Sequence, residues 1–258
     1  IAAALAQANT LADPVMIEVG AGTYDENPVI GRGNISLVAT AGRAMTTISG
    51  STAQMGPGSQ GTLTLRGGSD NVSITGFTII GFDRPSLGSE VAAVYISGNH
   101  DGVTLSGNDI RANGDGGLLS EYSAALTNVT VDSNIFSGQT FLGANPAAGN
   151  QYLVANVPQQ LVVLGGNGQN TSHVTFTNNE ITGTAGGLTT GGAPSGNTLV
   201  TIDADDSIIS DNVFTGFTNG NGWQLRIRES GNVVTDNSFA GHDGGNTGIY
   251  AEYTMGET

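Results

Sequence analysis

The chain has 258 residues, among them 41 glycines and no cysteine, with 22 acidic residues against seven basic ones and a formal net charge of −15. That charge repels a phosphate backbone, which excludes nucleic acid as a partner, and it admits a polyanionic glycan only where local arginines or a cation offset it. The lack of cysteine removes disulfide frameworks and thiolate metal sites, and no apolar run approaches the roughly 18 residues of a membrane-spanning helix.

All seven basic residues are arginines, and only 11% of the chain is charged. Glycine, asparagine, serine and threonine fill the space, which favours many short strands joined by tight turns over a helical or α/β domain. The opening "IAAALAQANTLADP" reads as the end of a short helix and a turn. A strand follows in "VMIEVG", then a corner at "GTYDE", then a strand pair in "NISLVATAGRAMTTISGS". The start without Met or a basic leader reads as a mature or excised segment of something longer.

From residue 71 onward one motif recurs. "NVSITGFTIIG" (71–81) is followed by "GVTLSGNDIRA" (102–112), "NVTVDSNIFSG" (128–138), "HVTFTNNEITG" (173–183), "DSIISDNVFTG" (206–216) and "GNVVTDNSFAG" (231–241). Aligned, they give two short apolar runs around a pivot, which is Phe77 in the first copy and then Asn108, Asn134, Asn179, Asn212 and Asn237. Successive pivots lie 31, 26, 45, 33 and 25 residues apart. The short gaps set a basic turn of the chain, and the long ones are that turn plus an inserted loop.

A further strand accompanies the motifs: "AVYIS" (93–97), "LVTID" (199–203), "QLRIR" (224–228) and, after the last, "IYAEY" (249–253). In these, Val200, Ile202, Leu225 and Ile227 alternate with Thr201, Asp203, Arg226 and Arg228. Such alternation puts the apolar set on one face and the polar set on the other. Roughly 25 residues with two or three short strands make one rung of an all-β, right-handed parallel β-helix, a solenoid with a short N-terminal capping helix and rungs ~4.8 Å apart. Hairpin turns of an antiparallel sandwich are the alternative. They give no reason for five asparagines with the same flanks, whereas in a β-helix each buried carboxamide finds its partner one rung away. Residues 1–258 are expected to form a single β-helix domain.

The N-terminal helix, the "GTYDE" corner and the repeated Asn-x-φ-x-Gly coils together resemble the pectin-lyase-like superfamily of right-handed β-helices. The resemblance covers nearly the whole chain as architecture and implies the fold, not an activity. Catalytic strings of pectin methylesterases are absent. "DADD" (203–206), "LRIRE" (225–229) and "GHDGG" (241–245) are only fragments of a polygalacturonase pattern, in another order. "LRIRESGNVVTDNSFAG" resembles the arginine-bearing coil of alginate-lyase and chondroitinase-B-like lyases, with Arg228 at the arginine position. Those enzymes take their proton with a lysine, and this chain has none, so the resemblance does not carry their mechanism across.

Counting from the pivots places Thr201 beside Arg226 and Asp203 beside Arg228, with Tyr250 and Glu252 on the next rung and Tyr95 and Ser97 farther back on the same face. This column is the candidate site. As catalytic groups the candidates are Arg228, Asp203, Tyr250, Glu252 and His242; as substrate contacts, Arg226, Trp223 and Tyr95. An arginine neutralises a uronate carboxylate while Tyr250 or His242 moves a proton, or Asp203 and Glu252, about 9.6 Å apart over two rungs, act as the carboxyl pair of an inverting glycosidase. The plainer reading is a charge column on a solvent face, stabilising the sheet by ~0.2–1 kcal/mol per pair. Parity with Leu225 and Ile227 places Trp223 in the core more readily than on a sugar platform.

No motif calls for a cofactor. "NGDGG" (113–117), "DADD" and "HDGGN" (242–246) are turns able to offer oxygen ligands to calcium, with solvated turns the ordinary reading. The three histidines lack zinc spacing. The composition, the missing catalytic strings and a C-terminus that stops just after a core strand lead to one reading. It is a rigid adhesion or glycan-binding scaffold, extracellular or on a bacterial cell surface, with polysaccharide as partner and room for end-to-end continuation through the last coil. The alternative is a polysaccharide lyase or hydrolase with a cleft around Arg228, walled by the insertion "GANPAAGNQYLVANVPQQ" (143–160).

Overall fold

The computed structural model describes residues 1–55, 59–82, 91–114, 116–140, 160–166, 170–185, 198–218, 223–240 and 248–252. A helix at Ala2–Ala8 precedes a chain that passes repeatedly through three sheets in the same order. The first sheet runs from Val15–Val19 through Ser73–Thr75 and Thr130–Asp132 to Val233–Thr235, eight strands among the described residues. The second runs from Gly22–Asp25 through Ile135–Thr140 to Ser238–Phe239, and the third from Val29–Ile30 through Ala92–Ser97 and Thr198–Asp203 to Ile249–Glu252. Every neighbouring pair of strands along these paths is parallel. Each strand's neighbour in the sheet belongs to the preceding or following coil, which defines a parallel β-helix.

Alternation explains why these residues stack. In the first sheet Leu37, Ile74, Leu105, Val131, Phe176 and Ile209 occupy successive rungs in register and are fully buried. The second sheet supplies a matching inner row, in which Ile48, Ile79, Ile110, Phe136, Ile181 and Phe214 lie one above another. Each such side chain contributes about 1.5–3 kcal/mol by leaving water. Leu5 and Ala8 of the helix join the same core at its N-terminal end.

The asparagines behave as their spacing predicts. Asn108 Nδ2 donates to Asn134 Oδ1 at 3.0 Å, Asn134 to Asn179 at 3.1 Å, Asn179 to Asn212 at 3.0 Å and Asn212 to Asn237 at 2.8 Å. Each Oδ1 also accepts the backbone N–H of the preceding pivot, and Phe77 N–H donates to Asn108 Oδ1 at 3.0 Å. Asn108, Asn134, Asn179 and Asn212 are buried at the corner between the first and second sheets. Residues just before the pivots take left-handed backbone there: Gly76 at φ 80°, Gly107 at 63°, Ser133 at 59°, Asn178 at 54°, Asp211 at 59° and Asp236 at 56°. Glycine or a small polar residue suits that conformation.

The opposite corner, between the third sheet and the first, holds a two-stranded ladder of His100–Asp101 with Leu126–Thr127. His100 is buried there, its Nδ1 and Nε2 each 3.1 Å from the carbonyl oxygens of Ser69 and Ser97. The described strands keep their register across the two longest separations between the second and third sheets, from 140 to 162 and from 185 to 198. Longer connections therefore change the length of a coil without changing the register of the sheets.

Candidate active site on the third sheet

The column expected from the pivots is present in the backbone register. Thr201 pairs with Arg226 and Asp203 with Arg228, and the next rung brings Tyr250 beside Arg226 and Glu252 beside Arg228. Going the other way, Thr201 pairs with Val163, Val163 with Leu119 and Leu119 with Tyr95. The candidates therefore share one line of the solenoid. They do not share one environment.

Toward the N-terminal rungs the line is covered. Tyr95 is 4% exposed and packs with Ala92, Leu119 and Val163 in a small cluster separate from the main core. It is a packing residue in this structure, with no open ring face for a sugar. Thr201 and Asp203 are also buried, at 5% and 3%. The expectation of a charge column on a solvent face thus fails at Asp203, because that carboxyl has left water.

The aromatic end is open. Trp223 and Tyr250 stack with ring centroids 4.3 Å apart and planes 19° from parallel, and Tyr250 is 36% exposed. The Arg226 guanidinium carbon lies 6.0 Å from the Tyr250 ring centroid, within cation–π range. Trp223 is only partly buried, against the parity expectation. The reason is local. Gln224, 2% exposed, points inward and donates through Nε2 to Gly216 O and Ala240 O at 3.0 and 2.9 Å. Leu225 also lies in the core, so two consecutive residues face inward where the strand begins. Their N–H groups share one acceptor, Gly248 O, at 3.1 and 3.0 Å. This bulge flips Trp223 to the outside.

Arg228 Nη1 donates to Asp203 Oδ2 at 3.3 Å. Asp203 Oδ1 is buried without a hydrogen-bond partner among the described residues. On the preceding rung, Gly165 (φ 88°) approaches so closely that a Cβ there would overlap Asp203 O. Burial raises the Asp203 carboxyl above the ordinary aspartate range, Arg228 opposes that shift, and the neighbouring Glu229 carboxyl adds to it. Glu229 is the functional candidate that sequence reasoning missed. It sits at φ 71°, in the left-handed region, one residue beyond Arg228.

The remaining expectations stand as follows. Glu252 has the expected strand position, and its side chain lies outside the described residues. His242 and the insertion 143–159 also lie outside them. Among the described residues no group of three or more His, Cys, Asp or Glu side chains could hold a metal ion. Within "DADD", Asp203 holds Arg228 and Asp205 Oδ1 accepts from Ser230 N–H and Oγ at 2.9 and 2.8 Å.

No family model matches the sequence, and no curated protein matches it. Solved structures do. An alginate lyase from Paenibacillus sp. str. FPU-7 aligns over 98% of this chain and 96% of its own, at 12% identity and a TM-score of 0.48. The pectin methylesterase of Aspergillus niger aligns over 91% and 81%, at 17% identity and 0.40. The Azotobacter vinelandii mannuronan C-5 epimerase A-module aligns over 98% and 89%, at 14% identity and 0.28. At these TM-scores the alignments carry no argument about this chain, and the site's chemistry has to be argued from its own residues.

Proposed function

We propose that this chain is a β-helix module of a secreted or cell-surface bacterial protein that binds a polysaccharide across the outer face of its third sheet. The observation that carries the reading is the stacked Trp223–Tyr250 pair with Arg226 beside it, all on paired strands. Stacked rings next to a guanidinium suit the apolar face of a sugar ring and a carboxylate or hydroxyl on its rim. In a chain of net charge −15, Arg226 beside the stacked rings gives this face the local positive charge an acidic glycan requires. Calorimetry against alginate, pectin and glycosaminoglycan chains tests it. Saturable binding lost in Trp223→Ala is expected, and binding to none of them, or binding that Trp223→Ala leaves unchanged, overturns it.

A second reading is favoured by Asp203. A buried carboxyl raised above its ordinary range, one rung from an arginine, suits a proton donor in glycan cleavage. In that reading Arg228 holds the charge of the substrate or of the residual carboxylate, and Tyr250, Glu252 and His242 are the remaining candidates for proton transfer. New reducing ends, or absorbance from an unsaturated product, that vanish in Arg228→Ala would support turnover. Binding without turnover on every glycan of the panel would leave the scaffold reading alone.

A further inference from the structure

The outer face of the third sheet changes character within one rung. On the first sheet the outward residues stay half-buried through the middle of the solenoid, as in Ser73–Thr75, Thr104–Ser106, Thr130–Asp132 and Thr175–Thr177. The third sheet is closed instead. Ala92–Ser97 is buried at every position but the last, and Gly116–Ser120 and Thr198–Asp203 are buried throughout. On the intervening strand Val163 is half-buried, and it packs against the cluster of Tyr95 and Leu119. A parallel strand buried at both parities is covered on both faces. The outward residues of the last closed strand, Thr198, Thr201 and Asp203, are 0%, 5% and 3% exposed.

The next strand opens. Trp223, Arg226 and Arg228 are half-buried, and one rung further Tyr250 is 36% exposed. Register does not slip across the change, since Thr198 pairs with Trp223, Thr201 with Arg226 and Asp203 with Arg228. The closed face therefore ends one strand spacing, about 4.8 Å, from the open residues. The Arg228–Asp203 ion pair, at 3.3 Å, ties across that boundary. A second side is occupied as well. The stacked rings of Trp223 and Tyr250 stand where the open strand begins, and the Arg226 guanidinium lies farther along it, 6.0 Å from the Tyr250 ring centroid.

A sugar inside an extended polysaccharide carries linkages at two opposite ends, so its site needs two opposite exits. Along the solenoid axis the closed strand blocks one of them. Along the open strand the ring stack blocks one. The directions that neither closes, toward the C-terminal rung and toward Arg228, meet at a right angle. A terminal sugar needs a single exit and fits such a corner.

We propose that this site takes the end of a polysaccharide chain and not an interior stretch of one. The assignment rests on the glycan-binding reading above and adds which part of the glycan is held. The terminal sugar lies against Trp223 and Tyr250, with Arg226 for its carboxylate or hydroxyl, and the rest of the chain leaves away from Thr198–Asp203.

The test is calorimetry of the intact protein against alginate, pectin and glycosaminoglycan chains sorted by length. The fluorescence of Trp223, the only tryptophan, gives a second reading of occupancy. Expected is one protein bound per chain whether the chain is short or long, and loss of binding when one of the two ends, reducing or non-reducing, carries a bulky cap. A number of bound proteins that grows with chain length overturns the chain-end site, as does binding indifferent to a cap on either end. Those two results leave the glycan reading standing. Absence of binding at every length removes that reading, and the chain-end site with it.

Discussion

Asn179 is the middle member of the carboxamide line, and its replacement by alanine measures what the line contributes. The Asn134 N–H donates only to Asn179 Oδ1, at 2.9 Å, in a buried position. Truncation leaves that donor without a partner, at about 1–3 kcal/mol. Three more bonds go: Asn134 Nδ2 to Asn179 Oδ1, and Asn179 Nδ2 to Val131 O and to Asn212 Oδ1. Their other ends keep a second hydrogen bond or lie in a paired strand, so each loses at the low end, about 0.5 kcal/mol. The sum is about 2.5–4.5 kcal/mol by that accounting. Asn237→Ala at the end of the line should cost only about 0.5–1.5 kcal/mol, because water reaches that rung. Rungs of a solenoid open semi-independently, so the assay is hydrogen exchange resolved by residue rather than one melting temperature. The Asn134 amide should exchange about 100-fold faster in Asn179→Ala, at 1.4 kcal/mol per factor of ten. Equal costs for the two variants, or an unchanged Asn134 amide, would show that packing alone holds the corner.

Other outcomes follow from the same coordinates. Gly138→Ala forces a Cβ into overlap with Ala112 O at φ 89°, whereas Gly107→Ala, at φ 63°, meets nothing within 4 Å. The first should lose clearly more stability in denaturant titration than the second, which bears only the left-handed backbone cost of about 1–2 kcal/mol. Glu229→Gly should raise the unfolding midpoint at neutral pH, since it relieves that cost, less about 0.5–1 kcal/mol for glycine's chain entropy. Hydrogen bonds from Asn178, Thr177 and Ser133 hold the Asp132 carboxyl below the ordinary aspartate range. Its stabilisation is complete above the unfolded-state value and is lost as pH falls through the lower folded-state one, so Asp132→Asn should flatten the acid limb of a stability–pH curve. Asp203 has the opposite sign: its raised value favours the fold below the unfolded-state range and weakens it as pH rises through the folded-state one.

What could be read from the sequence was whatever repeats. The asparagine pivots fixed the rung, and counting from them placed Asp203 beside Arg228 and Tyr250 beside Arg226, because insertions enter between sheets and leave register intact. Two features escaped because each breaks alternation at one residue. Trp223 faces outward since Gln224 uses a polar side chain to satisfy three carbonyls at the corner, which no apolar periodicity announces. Glu229 takes a left-handed turn, and nothing in "RES" distinguishes it from a strand running on into solvent. The burial of Asp203 was equally hidden, since an acid alternating with valine and isoleucine looks solvated until something covers it.

The carboxamide line also has a direction. Asn108, Asn134, Asn179 and Asn212 each hand one Nδ2 hydrogen toward the C-terminal rung, and each accepting Oδ1 turns toward the N-terminal one, so the dipoles of these four bonds add head to tail instead of cancelling. Bonds aligned in this way polarise one another. A coil added at the C-terminal end would meet an amide row already committed to one orientation, and only a newcomer presenting its oxygen would lengthen it.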